Sequence, residues 1–144
     1  MKVGMVGLGG MGKAIAINIA KAGFEFTVND IREAPVRELE GLGAKVASSP
    51  REVAGASDIV LVSLPSNEAS EQVALGPDGA LAGSKSGDIY VDLSTISPSL
   101  VHKIGKEASA RGVSVLDAPV SGTQSMRTAA SLSIMVGGDA ATLD

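Results

Sequence analysis

Cysteine is missing from the chain, and with it go disulfide frameworks, thiolate nucleophiles and cysteine-ligated metals or clusters. A single histidine, His102, gives no basis for a histidine-built metal site, so no metal is expected. Tryptophan is absent too, and Phe24, Phe26 and Tyr90 are the whole aromatic complement. The core must therefore be packed from aliphatic and small residues. Basic residues are not in excess: 12 Lys and Arg stand against 16 Asp and Glu, a formal charge of −4. That balance offers no broad positive field to a phosphate backbone, and no nucleic-acid partner is expected. No apolar run approaches the roughly 18 residues of a membrane span. Met1 to Val6 carries Lys2 and runs straight into glycines, unlike the apolar stretch of a signal peptide. The expectation is a soluble, cytoplasmic protein with no membrane partner.

Glycine, by contrast, is abundant, with 18 of 144 residues against a usual share of about 7%. The glycines follow no fixed period, which excludes collagen and simple linkers and leaves tight turns. With 44% hydrophobic residues, a chain of this length can bury the core of one domain.

Short β-branched runs alternate with stretches of helical period. Lys2 to Val6 reads as a strand, followed by an amphipathic helix whose Met11, Ile15, Ile19 and Ala22 share a face and which Gly23 ends. Phe24 to Asn29 is a second strand, Pro35 to Leu42 a charged helix, and Lys45 to Ala47 a short third strand. Ser49 and Pro50 suit the first positions of a helix. Ile59 to Leu64 is a continuous apolar run, the pattern of a strand covered on both faces. Tyr90 and Val91 lie in a fifth strand ending near Asp92. Ser97 and Pro98 open a helix on which Leu100, Val101, Ile104 and Ala108 share a face, closed by Arg111 and Gly112. Val113 to Leu116 gives a sixth strand, and Ser131 to Val136 reads as one more. Strand–helix–strand repeats with short links imply parallel pairing. The fold expected is α/β, a Rossmann-type doubly wound and mostly parallel sheet, with no boundary inside residues 1–144.

The first strand runs into Gly7-Leu8-Gly9-Gly10-Met11-Gly12, the spacing G-x-G-x-x-G at the opening of a helix. Gly7 would make the tight turn, Gly9 would let a pyrophosphate approach, and Gly12 would let the helix lie close to the strand. Free N–H groups and the partial positive charge of the helix start favour phosphate there. Roughly 20 residues on, Asp30 ends the second strand, where an acid can accept hydrogen bonds from a ribose diol. The same carboxylate would face a 2′-phosphate across a gap worth roughly 4 kcal/mol of repulsion at 4 Å. NAD is therefore favoured over NADP, although Arg32, two residues on, could pair a 2′-phosphate. Methyltransferases share these elements, and the turn alone leaves that class open.

Later segments narrow the choice. Leu64-Pro65, Asp92-Leu93-Ser94-Thr95 and Asp117-Ala118-Pro119-Val120-Ser121-Gly122 all end strands, where open α/β sheets bind ligands. With the glycine turn and Ile134-Met135-Val136-Gly137-Gly138, they resemble the β-hydroxyacid dehydrogenase family, which includes 3-hydroxyisobutyrate dehydrogenase and tartronate semialdehyde reductase. The resemblance runs over essentially the whole chain. It implies that Gly7, Leu8, Gly9, Gly10, Met11 and Gly12 cradle the pyrophosphate, that Asp30 meets the adenosine ribose, and that Leu64 and Pro65 line the cofactor path. It implies further that Thr95 lies beside the nicotinamide, and that Ser121, Gly122 and Thr123 hold the substrate carboxylate. The implied reaction is hydride transfer between NAD, or NADP, and a small 3-hydroxy acid.

The sequence departs from the family at three points. Thr123 and Ala130 stand where the family commonly has glycine, and threonine would be strained at position 123 if that position needs a positive φ. Family enzymes are about twice as long; their helical C-terminal domain and the general acid/base lysine lie beyond Asp144, so no catalytic residue is expected in these residues. Lys103, Lys106 and His102 fall on solvated helix positions and Lys85 in a loop. Two hypotheses follow: the cofactor domain of a dehydrogenase that is inactive alone and homo-oligomeric at full length, or a stand-alone, non-catalytic dinucleotide-binding module. Loss of a partner domain should also bare an apolar surface.

Overall fold

Side chains alternate across a strand, and Lys2–Val6 (β1) uses both of its faces: Val3 and Met5 enter one buried cluster and Val6 the other. A strand apolar on both sides must lie inside a sheet covered on both sides. The computed structural model, which describes residues 1–123, 125–126 and 130–144, has that arrangement. Glu25–Asn29 (β2), Lys45–Val46 (β3), Ile59–Val62 (β4), Ile89–Asp92 (β5) and Ser114–Asp117 (β6) join β1 in one sheet of order β3-β2-β1-β4-β5-β6. Every pairing in it is parallel. This is the doubly wound α/β sheet that the alternating pattern implies.

Helices fill both faces. Gly10–Lys21 (α1) and Glu33–Gly41 (α2) bring Ala16, Val36 and Leu39 onto Met5, Phe26 and Val28. On the other face, Pro50–Gly55 (α3), Asn67–Leu75 (α4), Ala80–Gly83 (α5) and Pro98–Ser109 (α6) bring Val53, Ala74, Leu81, Leu100 and Ile104 onto Val60, Val62 and Tyr90. The chain order reverses between β1 and β4. In sheets of this kind that reversal opens a crevice at the carboxyl ends of the strands, and it positions the site described below.

Several elements differ from the sequence expectation. The inward face of α1 is Gly12 and Ala16, flanked by half-buried Ile15 and Ile19, while Ala22 lies beyond the helix and is exposed. The smallest residues make the closest approach, which an apolar stripe does not reveal. Helices α4 and α5 have no counterpart in the sequence reading. The readable signal for α4 was Ser66, whose hydroxyl accepts the Ala69 N–H at 3.2 Å in an N-cap like that of Ser49 on the Glu52 N–H. The expected strand over 131–136 is reduced to Ser133–Ile134 (β8). It pairs antiparallel with Val120–Ser121 (β7) in a separate two-stranded sheet.

Among the described residues, Ala130 is the non-glycine residue with positive φ, at 52°. The backbone strain expected of Thr123 therefore falls on the other departure from glycine, where a side chain in the left-handed region costs about 1–2 kcal/mol. Ile134, Met135, Val136 and Leu143 are all exposed at this end of the chain. No helix among the described residues is long and apolar enough to cross a membrane.

Candidate functional site

The three motif glycines are held to different standards by the fold. Gly7 has φ +90°, and a Cβ there would lie 2.2 Å from the Ser63 carbonyl oxygen. A Cβ on Gly12 would lie 2.0 Å from the Gly7 carbonyl oxygen. Both glycines are thus required by chain packing alone. Gly9 is different: its backbone is ordinary and extended, at φ −67° and ψ −172°, and a Cβ there would meet nothing within 4 Å. Gly9 is also the N-cap of α1, which begins with no capping side chain and no acid in its first turn. The helix start faces open space with its N–H groups uncapped by side chains.

At the neighbouring strand end, Asp30 is a hub of hydrogen bonds. Its carboxylate accepts the Leu8 N–H at 2.6 Å and the Arg32 N–H at 2.8 Å, and the Arg32 guanidinium reaches it through Nε at 3.1 Å. Burial alone would raise the pKa of this carboxyl, but the Arg32 guanidinium and the two backbone N–H groups outweigh it and hold Asp30 below the usual carboxylate range. Asp30 is ionised at neutral pH, with Arg32 as its counter-charge.

A cavity of about 950 Å³ joins these features at the sheet crevice. Of the expected site residues, Gly7, Gly9, Gly10, Met11, Asp30, Arg32, Leu64 and Pro65 line it. Leu8 and Gly12 sit behind the wall, with Leu8 buried in the core and Gly12 packed on Gly7. Thr95, exposed beyond the end of β5, and Ser121, Gly122 and Thr123, in and after β7, lie outside this cavity. Thr123 places its hydroxyl 2.9 Å from that of Ser125. Lining residues that sequence reasoning missed include Ala69, Gln72 and Val73 on α4 and Ile31, which is wholly exposed at the rim. Lys103 is exposed and pairs with Glu71 of α4, and His102 is exposed on α6.

Beneath the cavity wall lies a buried polar group. Asp92, only 2% exposed, accepts the Ser94 N–H on Oδ1 at 2.9 Å. The Tyr90 hydroxyl is buried without a hydrogen-bond partner among the described residues, and the buried Ser70 hydroxyl lies close enough to Asp92 to act on its carboxyl. Burial pushes the Asp92 carboxyl up, hydrogen bonds from Ser94 and Ser70 only partly offset this, and Asp117, its neighbour in register on β6, adds like-charge repulsion. A carboxyl whose folded value lies above its unfolded one favours the fold most when protonated, and that contribution fades as pH rises through the folded value. Asp92→Asn keeps the Oδ1 acceptor and removes the charge. The variant should melt a few degrees above wild type at pH 8, a shift worth about 1 kcal/mol, with a smaller gain at pH 4. Calorimetric melting at the two pH values checks this, and an equal or larger gain at pH 4 would contradict it.

Comparison with known proteins bears on the same features. Residues 2–144 match the family described as the NAD binding domain of 6-phosphogluconate dehydrogenase. The chain is 41% identical over its full length to 2-(hydroxymethyl)glutarate dehydrogenase of Eubacterium barkeri, covering 48% of that protein. It is likewise 41% identical to 2-hydroxy-3-oxopropionate reductase of Escherichia coli, covering 49%. Among solved structures, 3-hydroxyisobutyrate dehydrogenase of Mycobacterium tuberculosis with L-serine superposes with a TM-score of 0.91 at 31% identity, over 99% of this chain and 48% of that one. The chain spans about half the length of the curated relatives it matches.

Proposed function

Because the chain belongs to the family of the NAD binding domain of 6-phosphogluconate dehydrogenase, we propose that residues 1–144 form one dinucleotide-binding domain serving a dehydrogenase of small 3-hydroxy acids. The observation that carries this reading is Gly9. The fold needs glycine at positions 7 and 12 but leaves space around position 9, and a diphosphate approaching the helix start would use that space. When bound, the nicotinamide ring supplies or accepts the hydride.

The chain's own residues bind and orient. The N–H groups at Gly10 and Met11 meet the phosphates, the Asp30 carboxylate meets the adenosine ribose, and Leu64 and Pro65 wall the path toward the nicotinamide half. Thr95 serves that half. Ser121, Gly122 and Thr123 hold the substrate carboxylate. The exposed apolar side chains near the end of the chain support a homo-oligomeric, full-length protein in which they are covered.

NAD is the preferred cofactor in this proposal. The guanidinium that could receive a 2′-phosphate already pairs with Asp30, so a 2′-phosphate would have to break that pair and approach a carboxylate. Titration calorimetry should show NAD binding at least about tenfold more tightly than NADP, a difference of about 1.4 kcal/mol. Asp30→Ala should weaken NAD by about tenfold and narrow the preference. NADP binding as tightly as NAD would overturn the preference, and no binding of either would overturn the functional reading.

A further inference from the structure

Leu64 forms part of the cavity wall, yet it has left the strand ladder, since β4 ends at Val62. Its N–H donates instead to the Ser94 hydroxyl at 2.9 Å, across 30 residues of chain. Ser94 is 4% exposed, and its own N–H is held by Asp92 Oδ1 at 2.9 Å. At the other end of this connection, the Leu64 side chain presses on the glycine turn: a Cβ on Gly7 would come within 3.0 Å of Leu64 Cδ2. A hydrogen-bonded strut thus runs from the end of β5 through Ser94 to Leu64, and packing continues it to the turn at the mouth of α1.

We propose that Ser94 is a positioning residue for dinucleotide binding, fixing Leu64 against the glycine turn so that the cavity wall meets the diphosphate and nicotinamide half of the cofactor. This rests on the dinucleotide reading of the cavity. Without the hydroxyl, the Leu64 N–H loses its partner and the wall is free to shift. The adenosine end, built from Asp30 and Arg32 on β2 and the loop after it, is not part of the strut.

The test uses the full chain, with binding of NADH followed by fluorescence and of AMP by competition, and thermal midpoints measured to establish that each variant is folded. Ser94→Ala should weaken NADH about tenfold while changing AMP by less than about twofold, because AMP lacks the second phosphate and the nicotinamide riboside. Ser94→Thr, which retains the hydroxyl, should restore NADH binding to within about threefold of wild type. A purely structural role would lower the thermal midpoint without separating the two ligands. Equal NADH affinity in wild type and Ser94→Ala, or equal losses for NADH and AMP, would overturn the inference alone. Wild-type protein that binds neither ligand would overturn it together with the dinucleotide reading.

Discussion

Gly9→Ser should melt at or slightly above the wild-type temperature and lose NADH binding by about a hundredfold or more, whereas Gly12→Ala should lose the fold itself. The opposite outcomes come from the surroundings of the two glycines. At position 9 the backbone is already in the extended region typical of an N-cap, where serine is a better cap than glycine by a few tenths of a kcal/mol. Its side chain would meet no protein atom within 4 Å of the Cβ, and so would stand in the space assigned to the diphosphate. A hundredfold loss corresponds to about 2.7 kcal/mol. At position 12 even a methyl group would lie 2.0 Å from a main-chain oxygen that cannot swing away. Helix α1 and the glycine turn would have to separate, at a cost of at least about 3 kcal/mol, a large part of the roughly 5–15 kcal/mol that holds a domain folded. Thermal melting and NADH fluorescence on the two variants separate the effects. A Gly9→Ser protein that binds NADH as wild type does would remove the cradle from the argument.

The contrast also shows what was legible in the sequence. The glycine turn, Asp30 and the six strands of the main sheet are encoded locally, by residue spacing and by short apolar or β-branched runs, although the exposed edge pair Lys45–Val46 has no face covered as the run at Ile59 has. Helix α4 is not. Its inward residues are Ser70 and Ala74, one polar and one small, so no apolar period announces it, and the wall that Ala69, Gln72 and Val73 give the cavity goes unseen with it. The pairing of Arg32 with Asp30 was equally hidden: sequence places both near a ribose but cannot say that they neutralise each other before any ligand arrives. The Ser94–Leu64 bond depends on how far β4 and β5 run past each other in register. Spacing along one chain does not contain that quantity. Backbone strain is a further case, because two missing glycines look alike in sequence and only φ separates Thr123 from Ala130.

Expressed by themselves, residues 1–144 should bind NADH and yet oxidise small 3-hydroxy acids at least about 10²–10⁴-fold more slowly than a full-length relative assayed alongside. Hydride transfer at a carbinol carbon leaves or consumes a proton on oxygen, and a positioned acid/base group is commonly worth that factor. The described cavity wall contains no lysine or histidine; its ionisable side chains are Asp30, Arg32 and Asp78. Asp30 is held ionised by Arg32 and two backbone N–H groups, which makes it a poor proton carrier near neutral pH. Lys103 is paired with Glu71 on the outer surface. Resemblance assigns the proton to a lysine, and among the described residues no lysine lines this cavity, so binding and chemistry should come apart. Steady NADH formation from a 3-hydroxy acid, abolished by Gly9→Ser, would locate the proton-moving group within these residues. Binding without turnover would instead leave cofactor capture as the work of this half and proton transfer as the work of another.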